Sequence, residues 1–213
     1  MKIISTNIGL PQTITWKEKT VQTGIFKKPV NKPIFLSKLG VDEDAVMNKK
    51  VHGGIDKSCY LYPTDHYAFW KQKYPDLDWN WGIFGENLSV AGLAENKMHI
   101  GDVLEIGESI VKITQPRIPC YKLGVRFGHQ EIIKQFLEAS RSGIYVKVLK
   151  EGFVQAGDQV YLLERQSNNL TVSQIFDQFT ASKRDKYLID KALGDVDLAA
   201  SMIKDLKRFR ESI

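Results

Sequence analysis

The stretch QPRIPCYKLG, residues 115–124, sets a thiol three residues after an arginine and two before a lysine. A cysteine acts as nucleophile or metal ligand only as thiolate, and nearby positive charge favours that form. Arg117 and Lys122 supply such charge to Cys120. Pro116 and Pro119 fix φ and remove backbone donors, so the preceding run SIVKIT cannot continue as a central strand. A stiff loop loses little entropy when it closes on a ligand. The spacing therefore predicts a reactive or metal-binding thiolate at Cys120. A small buried core residue in a turn is the other reading of the same pattern.

A second constellation is KKVHGGIDKSCYLYP, residues 49–63. Gly53 and Gly54 allow unusual φ and close backbone approach, and backbone amides in such a loop can cradle an anion. Lys49, Lys50, His52 and Lys57 surround them. The pattern fits a phosphate-binding loop with cationic support, and equally a tight turn with solvated lysines. A third is FGENL, residues 84–88. Glu86 could accept hydrogen bonds from an aminopterin-like ring, and Asn87 can both donate and accept; a turn with a polar tip reads the same way. Gly101-Asp102 looks like a turn into a strand. The other cysteine, Cys59, alternates with Leu61 on one face of a strand while Tyr60 and Tyr62 take the other, which makes it a core residue.

These groups sit in a chain of 213 residues with 43% hydrophobic and 26% charged residues and a formal net charge of +5. That is enough for one hydrophobic core with a small appended unit. No run reaches the roughly 18 apolar residues of a membrane helix. The N-terminus lacks a long apolar segment with a cleavage site, so a cytoplasmic location is expected. Two cysteines without a CxxC exclude a zinc-finger framework and make a disulfide unlikely in a reducing compartment. The mild positive charge suits anions such as a phosphorylated cofactor. No helix-turn-helix, RRM or zinc-finger pattern points to nucleic acid.

Residues 1–165 read mostly as short strands rich in β-branched and aromatic residues and bounded by Gly, Pro, Asn and Asp: KIISTNI, TITW, PIFLSKL, SCYLY, NLSV, DVLEI, SIVKIT, IYVKVL and QVYLLE. Gly107-Glu108 should turn DVLEI into SIVKIT as a hairpin. Irregularly spaced short strands favour a β-barrel over a βαβ sheet. Two helices interrupt them, PTDHYAFWKQKY and HQEIIKQFLEAS, the second with Ile132, Ile133, Phe136 and Leu137 on one face. After about residue 167 the pattern becomes helical. Thr171 and Gln174 form a capping box, RDKYLIDKALG stops at Gly194, and residues 195–213 make a third helix. The expected architecture is mainly β: a barrel domain over residues 1–166 with a few helices, and a three-helix C-terminal domain over 167–213.

In order, VHGG…DK…YP, FGENL, IGD and QPR-x-PC-x-KL resemble the MOSC family, the domain named from the C-terminal regions of molybdenum cofactor sulfurases, in its YiiM-like branch. The motifs span roughly residues 45–125, and the architecture spans the whole chain. The resemblance implies a β-barrel that binds the molybdenum cofactor (Mo-molybdopterin), with Cys120 of the PR-x-PC motif as the protein ligand to molybdenum. It makes Arg117, Lys57 and the loop of His52, Gly53 and Gly54 holders of the molybdopterin phosphate, joined at the cofactor by Glu86 and Asn87. It further implies reduction of N-hydroxylated purines or amidoximes to amines or amidines, with His52 as a candidate proton donor.

The cofactor performs such redox steps and the protein positions it. No GxGxxG, haem CxxCH or iron–sulfur cysteine set is present. Electrons are therefore expected from a separate flavin reductase, ferredoxin or similar partner. Three rival readings are a sulfur carrier or cofactor-transfer protein with a persulfide on Cys120, a cysteine hydrolase using Cys120 and His52, and a binding module whose C-terminal helices dock on a partner. A missing desulfurase domain argues against full sulfurase activity.

Overall fold

The computed structural model describes residues 1–47, 54–181 and 184–213. Thirteen strands appear among them: β1 (Lys2–Ile8), β2 (Gln12–Trp16), β3 (Lys19–Thr23), β4 (Lys28–Pro29), β5 (Ile34–Ser37), β6 (Gly40–Val41), β7 (Cys59–Pro63), β8 (Leu88–Ala91), β9 (Val103–Ile106), β10 (Ser109–Pro116), β11 (Ile144–Lys150), β12 (Gly152–Val154) and β13 (Val160–Glu164). The helices are α1 (His66–Lys73), α2 (Tyr121–Phe127), α3 (Glu131–Glu138), α4 (Val172–Thr180), α5 (Lys186–Leu193) and α6 (Ala200–Glu211), with a 3-10 turn at Ile55–Lys57. The expectation of a mainly β fold with a few helices is met.

Eight strands form one sheet in the order β13-β9-β10-β11-β7-β8-β1-β4. Only β7–β8 is parallel. The sheet curls until β1 reaches the residues leading into β13. That seam is not a ladder: it consists of the bridge Lys2↔Gln159 and flanking bonds such as Ile3 N–H to Asp158 O at 2.9 Å and Gly157 N–H to Ile3 O at 2.8 Å. The expected barrel is thus a strongly curved sheet joined at one point. The β9–β10 hairpin turns at Gly107-Glu108 as its sequence predicts, with Gly107 at φ 55.

All five residues of β7 are buried, because the strand lies between two layers. Cys59 and Leu61 enter an aliphatic core, while Tyr60 and Tyr62 enter an aromatic one with Trp70, Phe84, Phe127 and Phe136. Each such fully buried apolar side chain contributes about 1.5–3 kcal/mol. The alternation read from the sequence is therefore real, and it divides the molecule's interior.

The three C-terminal helices form as expected. Thr171 caps α4, with Gln174 N–H donating to its hydroxyl at 3.2 Å and Gln174 returning the bond to Thr171 N–H at 2.9 Å. Val172, Ile175, Ile189, Met202 and Leu206 belong to the same hydrophobic cluster as the strands. Ala199 N–H also donates to Thr114 O, and Ser201 Oγ to Gln115 Oε1 at 3.0 Å, so α6 is tied to the end of β10. The helices thus bury their stripes against the sheet. No described helix is long and apolar enough to cross a membrane.

Candidate active site around Cys120

β10 ends at Pro116, whose ring removes the next ladder donor. The chain then runs through Arg117–Cys120 and turns into α2. Cys120 is extended (φ −130, ψ 169) and its carbonyl accepts Leu123 N–H at 2.9 Å. This short helix was not legible from the sequence because Gly124 interrupts it. Gly124 faces the exposed Gln130 side chain, whose Nε2 lies 2.3 Å from where a Cβ would sit. The stop signal is Gly128, left-handed at φ 73.

One pocket collects this loop and four other connecting segments. Arg117, Ile118, Cys120 and Lys122 line it from one side. Lys57 and Ser58 come from the 3-10 turn, Tyr60 from β7 and Tyr145 from β11. Gly85 and Asn87 come from the loop before β8, and Lys27 and Asp44 close the far side. The structure therefore brings together Cys120, Arg117, Lys57 and Asn87 of the residues singled out by sequence. His52 and Gly53 lie outside the described residues, as do Lys49 and Lys50. Gly54 is described, at φ 95 and exposed, and does not line the pocket.

Glu86 is not brought to the pocket either. It is fully buried and turned inward, where its Oε1 accepts from the Tyr67 hydroxyl, from Gly82 N–H at 2.9 Å and from the Ser89 hydroxyl at 2.9 Å. Its Oε2 accepts from Phe84 N–H at 3.1 Å. A carboxylate with four donors has no oxygen to spare for a ring. Burial pushes its pKa up, against the pull of those bonds. Glu86 is the pin that shapes the loop, and the loop presents Asn87. Asn87 is itself committed: its Nδ2 donates to Asp44 Oδ2 at 3.0 Å and its Oδ1 accepts Tyr60 N–H at 3.3 Å.

Lys27 pairs with Asp44, both nearly buried. Lys122 is buried, and its Nζ donates to the Gln22 carbonyl at 3.4 Å. Burial lowers the Lys57 pKa, opposed by Asp56 and Asp205. Arg117 is 6% exposed, and its Nη1 is buried without an acceptor among the described residues. Its guanidinium lies 5.3 Å from the ring centres of both Tyr60 and Phe136. Burial works against its charge, while the Tyr60 and Tyr145 oxygens and Cys120 favour it, and its pKa stands above the usual value. The two phenols are themselves pushed up, chiefly by burial, and stay neutral. Cys59, by contrast, is sealed in the aliphatic core and burial pushes its thiol far up, so it remains an inert thiol.

An unsatisfied buried guanidinium N–H beside a half-buried thiol can receive an anion and offer it one soft sulfur donor. Lys27, Asp44, Tyr60 and Tyr145 went unrecognised in the sequence as parts of this site. Tyr60 lies in the quoted stretch 49–63 but was read there only as a strand residue, and no local motif marks the other three; only the fold makes them neighbours of Cys120.

A family model for the MOSC domain matches residues 48–161. The chain belongs to the MOSC family. MOSC domains are associated with molybdenum-cofactor binding. The chain is 37% identical over 170 residues to the uncharacterised protein YflK of Bacillus subtilis, covering 80% of this chain and 76% of that one. It is 34% identical over 151 residues to a protein named reductase from Gibberella moniliformis, covering 68% of this chain but only 26% of the fungal one. The crystal structure of YiiM from Geobacillus stearothermophilus superposes with a TM-score of 0.82 at 28% identity, over 98% of each chain. The likeness to this YiiM structure thus extends past residue 161 into the C-terminal helices.

Proposed function

We propose that this pocket holds the molybdenum cofactor, that Cys120 is its protein ligand, and that the protein reduces N-hydroxylated compounds of the hydroxylaminopurine or amidoxime type. The observation that carries the reading is the buried Arg117 Nη1 without an acceptor, in the pocket that Cys120 lines. Leaving a buried donor unpaired costs about 1–3 kcal/mol, a cost that a bound phosphate would remove. The residues therefore fit an anionic group with a metal that favours sulfur. Membership of a family associated with that cofactor supports the same reading, as does the relative named a reductase.

In this reading Arg117, Lys57 and Lys122 hold the phosphate's charge, and Tyr60 and Phe136 hold Arg117. Cys120 offers its sulfur from a loop that Pro116 and Pro119 stiffen. When bound, the cofactor supplies the two-electron chemistry that takes oxygen from an N–OH group. Overall, the N-hydroxylated compound, two electrons and two protons give the amine and water. Electrons come from a separate protein, a flavin reductase, ferredoxin or similar.

Purifying the chain from a host that makes molybdopterin and from one that does not tests the reading. The first preparation is expected to contain molybdenum and to reduce hydroxylaminopurine with an artificial electron donor; the second is expected to do neither. Equal reduction by both preparations would overturn the cofactor assignment. Molybdenum without reduction, together with a persulfide on Cys120, would favour a sulfur-carrier role.

A further inference from the structure

Among the described residues the β2–β3 hairpin pairs with no third strand. An isolated two-stranded hairpin is marginal in water, so something other than a sheet must fix its position. Its base is fixed firmly. Gly9 and Gly24 stand back to back, and a Cβ on Gly9 would lie 2.2 Å from Gly24 O. A Cβ on Gly24 would lie 1.8 Å from Ala45 O. Gly9 N–H donates to Asp44 Oδ1 at 2.8 Å, and Ala45 N–H to Gly9 O at 2.8 Å. The base is thus part of the pocket wall, which Thr23, Gly24 and Ile25 continue.

The arm of the hairpin is held differently. Ile14, its buried apolar residue, belongs to neither hydrophobic cluster. Trp16 stacks on Tyr121 with ring centres 5.1 Å apart and planes at 22°. Lys122 Nζ donates to Gln22 O at a long 3.4 Å. Both fastenings land on the first turn of α2, on the two residues that follow Cys120.

We propose that the β2–β3 hairpin is a hinged flap over the Cys120 side of the pocket, rooted at Gly9 and Gly24 and latched by the Trp16–Tyr121 stack. A ligand that reaches Cys120 displaces the arm, and the arm's departure takes the Gln22 carbonyl from Lys122 and leaves that ammonium to the incoming anion. The proposal rests on reading this pocket as the ligand site, but it concerns access to a sulfur atom and needs no cofactor for its test.

The test is alkylation by iodoacetamide under native conditions, followed by mass spectrometry, on the full chain from a host without molybdopterin. Trp16→Ala is expected to speed alkylation of Cys120 by roughly 2- to 10-fold, the factor that loss of one aromatic pair implies. Trp16→Phe keeps a ring for the stack and should restore the wild-type rate. Cys59, sealed in the core, reports global opening and should stay unreactive in all three proteins. An unchanged Cys120 rate in Trp16→Ala would overturn the flap. So would a parallel rise at Cys59, which would mean general loosening. Failure here leaves the metal reading of Cys120 intact, just as a chain that never binds molybdenum would leave the flap intact.

Discussion

Arg117→Met should make the ligand-free protein more stable and its anion binding worse. The guanidinium is buried against Tyr60 and Phe136, with one N–H lacking any described acceptor. Methionine has similar reach, adapts to irregular gaps and needs no partner. Against the change stands the lost cation–π attraction, about 0.5–2 kcal/mol. For it stands relief from the unpaired buried donor, worth about 1–3 kcal/mol, which leaves about 1 kcal/mol net here. A gain of that size raises Tm by roughly 2–4 °C in a chain of this length. Binding moves the opposite way, because truncating a buried charged partner costs about 2–5 kcal/mol, or at least about 30-fold in affinity.

Thermal unfolding with and without inorganic phosphate reads both effects. Wild type is expected to be stabilised by phosphate, since a ligand bound only by the native state raises Tm. The variant is expected to start higher and to gain nothing. A variant that melts lower and still responds to phosphate would mean that Arg117 is a structural residue.

The second large effect is expected at Glu86, which touches no ligand. Glu86→Gln preserves shape and removes charge, and a neutral substitute would be harmless if the carboxyl were simply a turn tip. The structure says otherwise, because four donors converge on two oxygens. Glutamine offers one oxygen, and its amide nitrogen must face Phe84 N–H or the cluster of Tyr67, Gly82 and Ser89. Each buried donor left unpaired costs about 1–3 kcal/mol. Chemical denaturation should therefore show a loss of about 1–3 kcal/mol, with the loop that carries Gly85 and Asn87 loosened in hydrogen exchange. No measurable loss would mean that Glu86 is protonated in the native state and already behaves as a neutral group.

These two residues also mark how far the sequence could be read. The position of Arg117 beside Cys120 was visible as spacing, and the strands and their turn at Gly107 were visible as alternation and turn chemistry. The inward direction of Glu86 was not visible, because FGENL has the composition of a polar tip whichever way its carboxylate points. The same limit hid α2, whose Gly124 lowers helix propensity. It also hid the β2–β3 turn, which puts Lys17 and Glu18 at φ 46 and φ 61 without glycine or asparagine. The pairing of Lys27 with Asp44 and the approach of Tyr145 to Arg117 are long-range consequences of sheet order, and no window of sequence contains them. The C-terminal helices were legible from their caps and stripes, which left open whether those stripes pack on one another or on the barrel; they join the core of the sheet.

X-ray absorption at the molybdenum edge tests the central claim most directly, on wild type and Cys120→Ser purified from a host that makes molybdopterin. Wild type should contain molybdenum with one more sulfur neighbour than the variant, or the variant should lose the metal altogether. Equal molybdenum content and equal sulfur coordination in the two proteins would contradict the assignment of Cys120 as the ligand.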